Sequence, residues 1–202
     1  MANNSRYVID LNRPPGNTAL YAGAGTGLVP DKSFDGKSLY LKGLLPDKRE
    51  TVQRRKQFWQ PYHEQLAVEL HKLRQRFGHA ILLDVHSIRS EVPLLFAGRL
   101  PDLNLGSHSG ASADPDLVSA SLAALGRDPG YSLVVDGRFQ GGYITRNYGQ
   151  PRNGVHALQL EMAQSVYMNE QPPVYDPERV ARIEPVLRGL IKTLIQWSPA
   201  HA

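Results

Sequence analysis

The sequence predicts an α/β fold, a mixed and mostly parallel sheet flanked by helices, and three local patterns carry that expectation. An amphipathic helical run over 51–77 passes through Gly78 directly into the apolar run from His79 to Val85. Asp114-Pro115 opens a second helix that is followed by the strand-like Tyr131 to Val135. A third strand, Val155 to Met162, precedes a long amphipathic helix that starts after Asp176. Helices and strands that alternate over short connections build sheets of this kind.

The first expected element is a strand, Arg6 to Leu11, stopped by Asn12-Arg13-Pro14-Pro15-Gly16. Residues 14–50 hold many Gly and Pro and little periodicity, so they read as a long loop, and loops of that length in compact domains tend to be functional. In the helix that follows, Leu66, Leu70, Leu73 and Phe77 recur at helical spacing and Gly78 is placed to cap it. The segment 87–113, rich in Gly, Ser and Pro, reads as a second long loop. Asp114 is a good N-cap with Pro115 behind it, and Asp176 with Pro177 repeats that pattern. The last helix sets Val180, Ile183, Leu187, Leu190, Ile191 and Leu194 on one face, and Pro185 inside it should bend it.

The length of 202 residues fits one domain, expected over 1–202, with a single substantial core. No apolar run reaches the ~20 residues of a membrane helix, and the N-terminus does not open a signal peptide. A cytoplasmic protein without membrane partners is the expectation. With no cysteine, disulfides and thiolate zinc sites are excluded, and any metal must be held by His, Asp or Glu. The net charge of +4 comes partly from basic groups on or before the first helix, without interleaved aromatic platforms. A solvated helical face accounts for them better than nucleic-acid binding, while a basic balance suits a small anionic substrate.

Chemistry concentrates in a few places. His86 follows Ile81-Leu82-Leu83-Asp84-Val85 at the carboxyl end of its strand, where α/β sheets present catalytic groups. Alone, it reads more readily as a satisfied structural histidine. Glu161 lies inside the apolar run Val155 to Met162, where a carboxylate is costly to bury and therefore asks for a functional role; near a metal it would be a general base. Asn12-Arg13 sits where a strand meets a Pro-Pro turn, and an arginine fork there suits a carboxylate. Arg146, bracketed by Tyr143, Tyr148 and glycines, is either part of an anion-binding loop or a surface ion pair. By period-two counting His156 points away from Glu161 and reads as structural.

The order Asn-Arg, Asp-x-His-Ser, strand-borne Glu resembles the zinc carboxypeptidase and aspartoacylase superfamily. More narrowly, SRYVIDLNRPPGN, LLDVHSIRSEVPLLFAGRLPDLNLGS, GRFQGGYITRNYGQP and GVHALQLEMAQSVYMNE resemble successive blocks of the N-formylglutamate amidohydrolase family, over residues 5–195. The resemblance implies a three-layer, zinc-carboxypeptidase-like (phosphorylase/hydrolase-like) α/β fold. It implies hydrolysis of N-formyl-L-glutamate to formate and L-glutamate, a step of histidine degradation, with zinc as cofactor. On its terms His86 is a zinc ligand and Glu161 the base that activates water. Asn12 and Arg13 would hold a substrate carboxylate, and Arg146 and Tyr148 the second carboxylate or the formyl oxygen.

The chain departs from that pattern at its start. Family members carry a region ahead of the SRYVIDLNR block that supplies the first two metal ligands, whereas this chain begins four residues before it. The expectation is therefore a domain lacking its N-terminal part, with zinc weakly bound or absent and an exposed sheet edge that is compatible with homo-oligomers. The competing function is a metal-free binder of acidic acyl-amino acids.

Overall fold

The computed structural model describes residues 4–16 and 26–199. After the loop over 26–46, α1 (Lys48–Arg54) runs through a π-helical turn (Arg55–Trp59) into α2 (Gln60–Phe77). The turn inserts a residue into what the sequence presents as one helix. Gly78 ends α2 in the left-handed conformation, as expected, with its N–H on the Arg74 carbonyl. Leu70 is buried, but Leu73 and Phe77 at the end of the same apolar stripe stay exposed.

The strand entered after Gly78 is β1 (Ala80–Ile88), which runs three residues past the end of the apolar run at Val85. It pairs in parallel with β4 (Val155–Ala163) from Ala80 opposite Val155 to Ile88 opposite Ala163. The far side of β4 pairs antiparallel with β2 (Leu103–Gly106), and β2 pairs in parallel with β3 (Leu133–Val135). The order β1-β4-β2-β3 makes a mixed, mostly parallel sheet flanked by helices. β2, four residues and all buried, falls in a segment that reads as loop. A strand that short shows no period, and its neighbours Pro101 and Ser107 are turn formers.

α3 (Pro115–Leu125) is the crossover between β2 and β3, capped by Asp114 accepting from the Asp116 N–H. α5 (Pro177–Gln196) starts at Asp176, which accepts from Glu178 and Arg179, and includes Pro185. Both pack on one sheet face, where Leu103, Leu105, Leu158 and Leu160 meet Leu117, Ile183 and Leu190 in the main core. A short helix, α4 (Tyr143–Tyr148), two 3-10 turns (Pro151–Asn153 and Gln164–Val166) and the hairpin β5 (Met168–Glu170) and β6 (Pro173–Tyr175) complete the described elements.

The strand expected at Arg6 to Leu11 is absent: residues 5–13 form turns, with Val8 N–H on the Ser5 carbonyl and Arg13 N–H on the Asp10 carbonyl. The carbonyls a sheet would have satisfied are met by helix side chains instead. Arg54 Nη1 donates to the Val8 carbonyl at 2.9 Å, His63 Nε2 to Leu11 at 2.9 Å and Trp59 Nε1 to Arg13 at 2.9 Å. Buried backbone groups need partners of some kind, not a ladder in particular.

Candidate active site

Side chains two apart on a strand share a face, and residues in register on parallel neighbours point the same way. Because Asp84 pairs with Gln159 and His86 with Glu161, these four form a two-by-two patch on the sheet face opposite the main core. The patch floors a cavity of about 420 Å³. Above it lie the Asn12 turn and the start of α4. Gly142, the N-cap of α4, donates its N–H to Gln159 Oε1 at 2.7 Å, and a Cβ there would sit 2.4 Å from the Asn12 amide. That contact leaves room for glycine alone.

Asn12 joins these layers. Its Nδ2 donates to Asp84 Oδ2 at 2.8 Å and lies 3.0 Å from His86 Nε2, while its Oδ1 accepts the Ile144 N–H at 2.8 Å. Arg13 is buried beside it, with Nε on the Thr26 carbonyl and Nη1 on the Asn12 carbonyl, 3.6 Å from Asp10. Asp10 accepts from Arg6 Nη2 at 2.6 Å and, through Oδ1, from the Asn12 N–H. Arg6, Arg13 and Arg138 all line the cavity, so three guanidiniums border a space floored by carboxylates.

Glu161 is 7% exposed, and burial pushes its carboxyl up to about 7, against the pull of His86, Arg6 and Arg13 and with the Asp84 charge adding to the rise. Gln159 Nε2 lies 3.4 Å from Glu161 Oε2. For His86, burial opposes the charge, but the bond to Asp84, 2.7 Å from Nε2, and the carboxylates of Asp84, Glu161 and Asp10 outweigh it and raise the pKa. The arrangement is suited to proton transfer: an acid poised near neutrality facing a partly open, polar cavity.

Asn12, Arg13, His86 and Glu161 are thus brought together on one cavity. Arg146 and Tyr148 are not on its wall. Arg146 Nε donates to the Gly141 carbonyl at 2.8 Å, and the Tyr148 hydroxyl bonds His63, 2.9 Å from Nδ1. Burial and the neighbouring Tyr143 and Tyr62 push Tyr148 up to about 12. Asp84, Gln159, Arg6 and Arg138 carry no assignment from sequence. Period-two counting back from His86 and Glu161 would have found the first two; no local signal points to the arginines. His156 is buried on the other face, where Nδ1 accepts the Asp114 N–H and the ring meets Trp197 edge-on.

The sequence model of the N-formylglutamate amidohydrolase family matches residues 1–168. An N-formylglutamate deformylase of Pseudomonas aeruginosa is 50% identical over 197 residues, 97% of this chain and 74% of its own length. One of Pseudomonas putida is 49% identical with the same coverage. Among solved structures, the N-formylglutamate amidohydrolase of Ralstonia eutropha JMP134 superposes with a TM-score of 0.76 at 23% identity, over 94% of this chain and 74% of that one. That last likeness concerns the fold.

Proposed function

Since the chain belongs to the N-formylglutamate amidohydrolase family, we propose that its cavity hydrolyses N-formyl-L-glutamate to formate and L-glutamate. The observation that carries the chemistry is Glu161, a buried carboxyl raised to about 7 on the sheet face that floors the cavity. As carboxylate it accepts a proton from water, whose oxygen attacks the formyl carbon. As acid it returns that proton to the nitrogen when the C–N bond breaks, leaving formate and an amine. Arg13, with Arg6 and Arg138, provides positive charge for a dianionic substrate, and Asn12 orients Asp84 and His86.

The test is release of formate from N-formyl-L-glutamate, set against N-formyl-L-leucine as an apolar control. Turnover of the first with a preference of at least about tenfold over the second is expected, the range that one lost charged contact commands. Equal rates on both would overturn the substrate assignment. Binding of N-formyl-L-glutamate without turnover would favour the metal-free binder.

Zinc is implied by the family resemblance, with His86 as a ligand. A catalytic zinc takes about three protein ligands and keeps one open position. Among the described residues no three His, Asp or Glu side chains gather as a metal-holding group, and His86 Nε2 is already met by Asp84 and Asn12. This donor set does not fit a three-ligand centre. The 202-residue chain, dialysed and analysed for metal, is accordingly expected to carry clearly less than one zinc per molecule, and added zinc to leave its melting temperature unmoved. Stoichiometric zinc with a raised melting temperature would refute this.

A single 1–202 domain, a zinc-carboxypeptidase-like ancestry and a cytoplasmic location belong to the same proposal. They are supported by the chain order of Asn12-Arg13, Asp84-x-His86 and Glu161 and by the lack of cysteine. Among the described residues no helix is long and apolar enough to cross a membrane.

A further inference from the structure

Three successive carbonyls in the Asn12 turn are held from outside it. The Leu11 carbonyl accepts from His63 Nε2 at 2.9 Å, and that of Arg13 from Trp59 Nε1 at 2.9 Å. Between them, the Asn12 carbonyl accepts from Arg13 Nη1 at 2.9 Å and from the Tyr143 N–H at 3.3 Å. We propose that Trp59 and His63 are positioning residues: by gripping the backbone on both sides of Asn12 they hold its carboxamide between Asp84, His86 and the Ile144 amide. The inference rests on the reading of this cavity as the hydrolytic site.

The hydrogen-bond roles follow from chemistry. A carbonyl only accepts, so the imidazole Nε2 that meets Leu11 carries a hydrogen. Burial lowers the pKa of His63, which favours the neutral ring with Nδ1 as an acceptor; the single hydrogen of the Tyr148 hydroxyl lies between that Nδ1, at 2.9 Å, and the His63 carbonyl, at 3.1 Å. The Leu11 carbonyl, which can only accept, therefore sets the His63 tautomer, and the Tyr148 hydroxyl is compatible with it. The ring is buried, 3.9 Å from the Trp59 ring centroid and stacked on Tyr148 at an interplanar angle of 6°, so it has little freedom to turn away.

The π-helical turn makes the grip geometrically available. Gln60 N–H bonds the Arg55 carbonyl five residues back. In a regular α-helix residues five apart are rotated by about 140° from one another, whereas a π turn brings them nearly onto one face. Arg54 and Trp59 thereby reach the same turn, at Val8 and Arg13, and His63 follows one helical turn later. Such turns are frequent at functional sites.

The experiment compares His63→Phe and Trp59→Phe, which keep an aromatic ring and lose the donor, with His63→Gln, whose amide can still reach the Leu11 carbonyl. Amide hydrogen exchange read by NMR is independent of turnover. Exchange at Ile144, whose N–H is held by the Asn12 carboxamide, is expected to rise at least about tenfold in both Phe variants and recover in His63→Gln, while Leu158 and Leu160 in β4 keep their protection. Kinetically, each Phe variant should lower kcat/KM for N-formyl-L-glutamate about tenfold in the native background and less than about twofold when Asn12→Ala is already present. Unchanged Ile144 exchange, or exchange that rises equally through β4, would overturn the inference; so would losses that simply add to that of Asn12→Ala. A chain without deformylase activity would sink the substrate reading, and the exchange experiment would still decide this one.

Discussion

Glu161→Gln is expected to lower kcat by about two to four orders of magnitude and, in the same molecule, to stabilise the fold at alkaline pH. The first effect follows from removing a general base while keeping its shape. The second follows from linkage. The Glu161 carboxyl titrates near 4.5 in a free chain and is pushed up to about 7 here, chiefly by burial. Between those values the folded protein keeps a proton that the unfolded chain has lost. Its contribution is therefore complete below pH 4.5 and is lost as the pH rises through 7. At about 1.4 kcal/mol per pH unit, the ionised carboxylate costs about 3 kcal/mol above pH 8. Glutamine carries no such cost. Urea unfolding of the two proteins at pH 5 and pH 8.5 checks this, with the variant gaining only at the higher pH. Wild-type-like turnover would remove Glu161 from the mechanism, and equal stability at both pH values would mean that its charge is solvated in the fold.

Asn12→Asp should be the most damaging small change outside Glu161. Nδ2 is a donor that faces Asp84 Oδ2 at 2.8 Å, in a residue only 7% exposed. Replacing it with a carboxylate oxygen turns a hydrogen bond into a contact between like charges, and one of the two groups must then hold a proton. A loss of about 3 kcal/mol of stability at pH 8 is expected, the range for an unmatched buried charge. The deficit should shrink at pH 5, where the extra proton is readily supplied. Hydrolysis of N-formyl-L-glutamate should fall by about two orders of magnitude. Asn12→Ala, which removes the donor without adding charge, should show no such pH dependence. A variant as stable as the parent at pH 8 would mean that the Asn12 to Asp84 contact is not made in solution.

Much of this site was legible in the amino-acid order because it depends on strand periodicity. Glu161 stood out as a carboxylate within an apolar run, and the run became the central strand β4, buried on both faces. His86 stood out for its place near the end of a strand, and the helix caps Gly78, Asp114 and Asp176 were readable because they act within a few residues of themselves. These signals are local, and their physical causes are local too.

What the tertiary structure alone decided is whatever depends on partners far away in the chain. Residues 6–11 read as a strand, yet form turns in which side chains of the α1–α2 helical segment, roughly fifty residues on, take up the Val8 and Leu11 carbonyls. Tyr148 looks like a ligand contact beside Arg146, but its hydroxyl is claimed by His63 across 85 positions. Asn12 gains its role from Asp84, His86 and Ile144, which lie 72 to 132 residues away. The sequence by itself determined β1 and β4 and which of their faces carry charge, because side-chain alternation is a property of each strand alone. Which strand lies beside which, and so which charges meet, was decided only when β1 and β4 paired in the register that sets His86 opposite Glu161.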